Sequence, residues 1–276
     1  MKASFTVLAV VTACVLASTE TSAQWPKYPD QNVPRTPDGK INMDAPAPRM
    51  PDGKPDLSGT WENTGRGPGQ QPKQALSLDE KPHATFANVG AGFKDGLPFQ
   101  PWARDLRAER MARNSADNPD VWCLPMGNMQ FNVHPFPRKL VHTPGLLIIM
   151  YETHQGLRQV FLDGRTIPNN PNPTFFGYSV GHWEGETLVV ETSGFKDGEW
   201  LDIQGSPLTD VGRTVERFSR PNTGQLEIEI TFEDKKAYTR PFTVRLTQRL
   251  MPDDEIFEMV CMENNQSIKH LVPDKK

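Results

Sequence analysis

Residues 177–195, GYSVGHWEGETLVVETSGF, leave this chain few ways to fold. Two strand-length runs, 178–183 and the β-branched 187–192, flank Glu184-Gly185-Glu186. Side chains branched at Cβ crowd a helix but pack well on a pleated surface, and glycine admits the positive φ of a tight reversal. That pattern predicts a β-hairpin. The arrangement repeats: 146–154 and 157–162 flank His154-Gln155-Gly156, and 214–219 and 225–232 close over residues 220–224. The cleanest alternation is 225–232, with Leu226, Ile228, Ile230 and Phe232 on one face and Glu227, Glu229 and Thr231 on the other. Further runs at 239–250 and 255–264 complete the series. Eight to ten strands with one apolar face predict an all-β antiparallel meander that closes on itself and so removes exposed edges.

The N-terminal part reads differently. A basic Met1-Lys2, an apolar run over 5–17 and the small residues Thr21-Ser22-Ala23 have the form of a secretory leader, giving 1–23 as signal peptide. A rival reading makes Val11-Thr12-Ala13-Cys14 a lipoprotein cleavage box with Cys14 acylated. Residues 24–56 are Pro-rich and repeat Pro-Asp-Gly-Lys at 37–40 and 51–54, which predicts an extended arm with two tight turns, packed on the domain or loose. Residues 57–272 then form the β domain. One short helix is expected over 101–113, with Pro101 at its first position; 118–137 reads as a packed loop.

Composition narrows the function classes. The net charge of −4 gives no basic surplus for nucleic acid, and no second long apolar run offers a membrane span in the mature chain. Beyond Cys14 only Cys123 and Cys261 remain. In an oxidising compartment they have a single possible pairing, from the segment before the first hairpins to the last strand; two separate buried thiols are the alternative.

Several motifs resemble a known group. Asp56-Leu57-Ser58-Gly59-Thr60-Trp61, Cys123-x-Pro125-x-Gly127, Asp163-Gly164-Arg165, the long Gly181-x-Trp183-Glu184-Gly185-x-Thr187-Leu188-Val189-Val190-Glu191-Thr192, Glu216-Arg217 and Cys261-x-Glu263-Asn264 are similar to those of a family of exported bacterial proteins without an established activity. That likeness implies one exported domain, and no catalytic role carries over from it. Gly59-x-Trp61 also resembles the first strand of lipocalin-like barrels, where the tryptophan plugs one end.

Chemistry is sparser. His182 and Glu184 would aim an imidazole and a carboxylate the same way, as an acid/base pair, if the strand persists through Glu184. The break at Gly185 argues for the simpler reading, a solvated turn with Trp183 packed inward. Glu152 and Arg158 fall opposite one another in their hairpin and predict a cross-strand ion pair. Charged residues within strands, Glu216 among them, make the interior partly polar where they point inward. Trp61, His142, Glu152, His154, Arg158, Arg165 and Trp183 are the expected ligand-binding residues. No short-spaced set of histidines and carboxylates indicates a metal, and nothing indicates a cofactor. Gly177-Tyr178-Ser179-Val180-Gly181 has the letters of a nucleophile elbow, but a hairpin follows where that motif needs a helix. The expected function is binding of a small, partly apolar molecule in a lipocalin-like barrel. An acid/base lyase, isomerase or hydrolase on the same barrel, and a ligand-free envelope scaffold, are the alternatives.

Overall fold

The computed structural model describes residues 28, 30, 33–64 and 77–263. The expected leader 1–23, Cys14 and the end of the predicted domain, 264–272, lie outside the described residues. Nine strands form a closed barrel in the order β1-β11-β10-β9-β6-β5-β4-β3-β2. These are β1 (Gly59–Asn63), β2 (Arg138–Thr143), β3 (Leu146–Tyr151), β4 (Gly156–Phe161), β5 (Tyr178–Glu184), β6 (Thr187–Ser193), β9 (Arg213–Asn222), β10 (Gln225–Glu233) and β11 (Phe242–Leu250). Period-2 alternation decides which side chains go inside. Along β10, Leu226, Ile228, Ile230 and Phe232 are all buried, as the pattern predicts. With them Trp61, Leu140, Leu147, Val160, Leu188 and Phe218 complete one continuous apolar cluster.

Both mouths of the cylinder are covered. At one, the arm carries two small hairpins, closed by the bridges Arg35↔Ile41 and Arg49↔Pro55, with Gly39 and Gly53 at φ of 81° and 83°. It docks on the hairpin turns: Thr223 N and Gly224 N donate to Ala45 O and Met43 O, both at 2.8 Å, and Lys54 Nζ donates to Gly185 O at 3.0 Å. The described part of the arm, residues 33–56, is therefore packed on the domain, not loose. The other mouth holds α1 (Pro101–Ala112) and α2 (Asn128–Val133). All six α2 residues are buried.

Four expectations need correction. First, β4 and β5 pair in parallel, Val160 with Ser179 and Phe161 with Val180, so the sheet is mixed. The sixteen residues between these strands reach back along the barrel; at about 3.3 Å per residue they span far more than one strand length. Second, the described residues hold two α-helices; α2 is too short and too amide-rich to leave a periodic apolar signal. Third, 255–263 contains no strand. Both edges of β11 are taken, by β10 and β1, so closure leaves nothing for a further strand to pair with. Fourth, β3 stops at Tyr151, and a 3₁₀ turn (Thr153–Gln155) follows. Between β6 and β9 the chain also forms a two-stranded ribbon of β7 (Glu199–Trp200) and β8 (Pro207–Leu208), too short to leave a strand pattern in the sequence.

Cys123 and Cys261 form a disulfide across 138 residues, with Cα atoms 5.6 Å apart. The loop-entropy account gives a closure of that length on the order of 5 kcal/mol. Its C-terminal anchor lies beyond the last strand rather than in it.

Candidate functional site

Strand alternation turns four charged side chains inward, Arg220 of β9 near the arm and Arg158, Glu216 and Arg138 beyond it. Arg158 on β4 shares its face with Val160, and Glu216 on β9 shares its face with Phe218. Their side chains are 1% and 0% exposed and meet in a bidentate pair. Arg158 Nη1 donates to Glu216 Oε1 at 3.0 Å, and Nη2 donates to Oε2. The rest of the fork is used too: Nε donates to Ser179 Oγ at 3.1 Å and Nη2 to Thr192 Oγ1 at 2.9 Å. Burial alone would lower the Arg158 pKa, but the Glu216 carboxylate outweighs it and holds the guanidinium above its usual range.

The third charge is Arg138 on β2, which shares the inner face with Leu140 and His142. It makes no ion pair among the described residues. Neutral oxygens hold it instead. Nη1 donates to Asn132 Oδ1 at 2.6 Å, and Nη2 to Asn132 O at 2.5 Å and Asn63 Oδ1 at 3.0 Å. The Gln248 amide, turned so that its oxygen faces the guanidinium, accepts from Nη1 at 2.9 Å and Nε at 3.1 Å. Burial pushes the Arg138 pKa down to about 10. Asn132 on α2 ties the two arginines together: its Oδ1 also accepts from Tyr151 OH at 3.1 Å, and its Nδ2 donates to Glu216 Oε1 at 3.4 Å. Arg158, Glu216 and Arg138 together thus carry one positive charge more than negative, and Arg220 adds a second.

Near the helix-covered mouth, polar atoms remain without partners among the described residues: Gln130 Oε1 on α2, Thr214 Oγ1 on β9 and Glu199 Oε1 on β7. Burial drives the Glu199 carboxyl up to about 9, so it carries its proton at neutral pH.

Trp61, His142 and Trp183 come together at the arm-covered mouth. The His142 and Trp183 rings are 5.8 Å apart, and the Arg220 guanidinium lies 4.8 Å from the Trp61 ring. Asp56 joins the two groups. Its Oδ1 is 3.7 Å from His142 Nδ1, and its backbone oxygen accepts from Arg220 Nη1 at 2.6 Å. Burial raises the Asp56 pKa, but the facing His142 ring and the hydrogen bond from Ser58 N overcome that and leave it at about 2.

The other expected residues are scattered. Glu152 does not pair with Arg158, because the register sets Arg158 opposite Ile149; Glu152 Oε2 instead accepts from Phe257 N at 2.9 Å. His154 sits at the helix-covered mouth, its Nε2 2.7 Å from Asp120 Oδ1. Arg165 is bound to Asp163 on the outside and lies 3.9 Å over the Phe161 ring. β5 does persist through Glu184, and His182 Nε2 lies 3.5 Å from Glu184 Oε1. Both project from the outer face, half exposed, and Glu184 is engaged by Arg217 at 2.8 Å, whose hydrogen bond lowers its pKa.

Arg138, Asn132 and Gln248 were missed by the sequence reading. The signal for Arg138 was present, since Arg138, Leu140 and His142 alternate along one run; nothing in the sequence marked α2 as the element that meets it. Comparison of the chain with protein-family models, with curated proteins and with solved structures finds no match.

Proposed function

We propose that this protein is an exported binding barrel for a small, partly apolar molecule whose anionic or strongly accepting head group is received by Arg138. The observation that carries this reading is the spare buried cation. An ion removed from water without a counter-charge is expensive, and an interior needing only to be filled is served as well by apolar residues. A carboxylate entering the barrel would replace neutral amide oxygens at the Arg138 fork with a charge-assisted, bidentate contact. Protonated Glu199 and the Thr214 hydroxyl are unspent polar groups near the same mouth, and the apolar wall from Leu140 to Phe218 suits a hydrocarbon body. The disulfide fits an oxidising location, and no described helix is long and apolar enough to cross a membrane.

The density of the interior favours a second reading. Trp61, Phe131 and Arg138 are among the largest fully buried side chains, and a barrel filled this way also serves as a ligand-free scaffold. A thermal-shift panel separates the two, pairing aliphatic and aromatic carboxylates with their methyl esters. The binding reading predicts that a carboxylate raises the melting temperature while its ester does not, and that Arg138→Gln, shown folded by circular dichroism, abolishes the difference. A panel without any shift returns the barrel to the scaffold reading.

A further inference from the structure

The disulfide has an imidazole beside it. The sulfurs of Cys123 and Cys261 and a ring nitrogen of His154 all lie within 4.8 Å of one another, and all three residues are half-buried. They arrive from three separate places. The 3₁₀ turn Pro119–Trp122 ends on Cys123, the bend after β3 delivers His154, and the strand-free segment after β11 brings Cys261. A scan for short ligand spacing cannot see such a trio. Asp120 Oδ1 stands 2.7 Å from His154 Nε2, the carboxylate partner that orients a ligating histidine in many metal sites. The backbone is also held unusually here: Cys123, His154 and Gln155 have φ of 56°, 51° and 51°, a region that costs a non-glycine residue about 1 kcal/mol or more. A disulfide that only tethers the chain end needs neither the imidazole nor its oriented carboxylate.

We infer that, once reduced, Cys123, Cys261 and His154 form a three-ligand site for zinc, with Asp120 positioned against the imidazole. The redox step balances with a dithiol reductant. It supplies two electrons and two protons, the S–S bond opens to two thiols, and the reductant leaves as its own disulfide. Binding of the divalent ion then releases the two thiol protons and leaves two thiolates on the metal. Two sulfurs at about 2.3 Å from a tetrahedral zinc stand roughly 3.7 Å apart, so they must separate from bonding distance. Cys261 lies on a segment outside the barrel ladder, which lets it move without breaking strand pairing. The C-terminal segment thus stays fastened to the helix-covered mouth in both states, by sulfur when oxidised and by metal when reduced.

The test uses the full chain, reduced with a phosphine under argon and titrated with Co²⁺ as a spectroscopic stand-in for zinc. Expected is one equivalent bound with thiolate charge-transfer and tetrahedral d–d absorption, both removed by Zn²⁺ and absent from the oxidised protein. His154→Ala lowers zinc affinity at least tenfold, and Asp120→Asn lowers it about ten- to a hundredfold. Circular dichroism on each reduced variant separates loss of the site from loss of the fold. The inference is overturned if folded, reduced protein takes up cobalt without the thiolate band. Equal affinity in folded His154→Ala, or equal uptake by the oxidised chain, overturns it as well.

Discussion

Glu216 carries the most consequential single interaction, because it is the carboxylate that answers Arg158 inside the barrel. Removing its charge strands a guanidinium that is 1% exposed. Glu216→Gln is expected to cost about 3 to 5 kcal/mol in urea denaturation, and adding Arg158→Met should recover part of the loss. A single mutant within about 1 kcal/mol of wild type would show that the pair is not desolvated. Two other residues set the pH dependence in opposite directions. Burial lowers the His134 pKa to about 4 from an ordinary 6.5, so between those values the unfolded chain binds the extra proton and stability rises with pH, in total on the order of 3 kcal/mol. Glu199 is raised from 4.5 to about 9, so its contribution is intact below pH 4.5 and is lost progressively as pH climbs to 9. Glu199→Gln should therefore stabilise the protein at pH 8 and change little near pH 4.5; equal effects at both values would mean the carboxyl is ionised in the fold. At this scale the sequence revealed orientation but not partnership. Alternation with Val160 points Arg158 inward, whereas the residue it meets depends on which strand arrives opposite.

Among the elements, β1 shows how closely the closure is packed. Gly59 sits at φ 144°, and a Cβ there would lie 2.6 Å from Leu250 Cδ1 on β11. Gly59→Ala should cost about 2 to 3 kcal/mol by thermal or urea unfolding, from backbone strain and overpacking together. Gly145, in the β2–β3 turn, has nothing within 4 Å of an added Cβ, and Gly145→Ala should fall within about 0.5 kcal/mol of wild type. Similar losses at both sites would contradict the tight β1–β11 seam. Hairpins were legible because their period and turn residues are local: 225–232 and the two Pro-Asp-Gly turns of the arm fold as their letters predict. The parallel β4–β5 pair was not, since alternation tells which face a residue takes and not which strand lies beside it. Residues 255–263 misled for a related reason, as a plausible strand needs a free edge and the ring offers none.

For the molecule as a whole, closure and the disulfide act together. The ring joins β1 to β11, and the Cys123–Cys261 bond fastens the chain beyond β11 to the segment before α2. Cys123→Ser with Cys261→Ser, measured without metal, should lose on the order of 2 to 5 kcal/mol, and a loss under about 0.5 kcal/mol would make the tether energetically idle. The cysteine count and the expected oxidising compartment made that pairing readable. The covers on both mouths were not readable, because arm docking and α2 insertion are long-range packing events with weak local patterns. They bear directly on function, since a ligand bound at Arg138 must displace neutral partners beneath α2. The most direct measurement follows the arginine Nε–H resonances of ¹⁵N-labelled protein during titration with the carboxylate that most raises the melting temperature. The binding account predicts a saturable shift of the Arg138 signal, assigned by its loss in Arg138→Gln, with the Arg158 signal still protected. Movement of exposed arginines alone, with Arg138 unchanged at saturation, would contradict it.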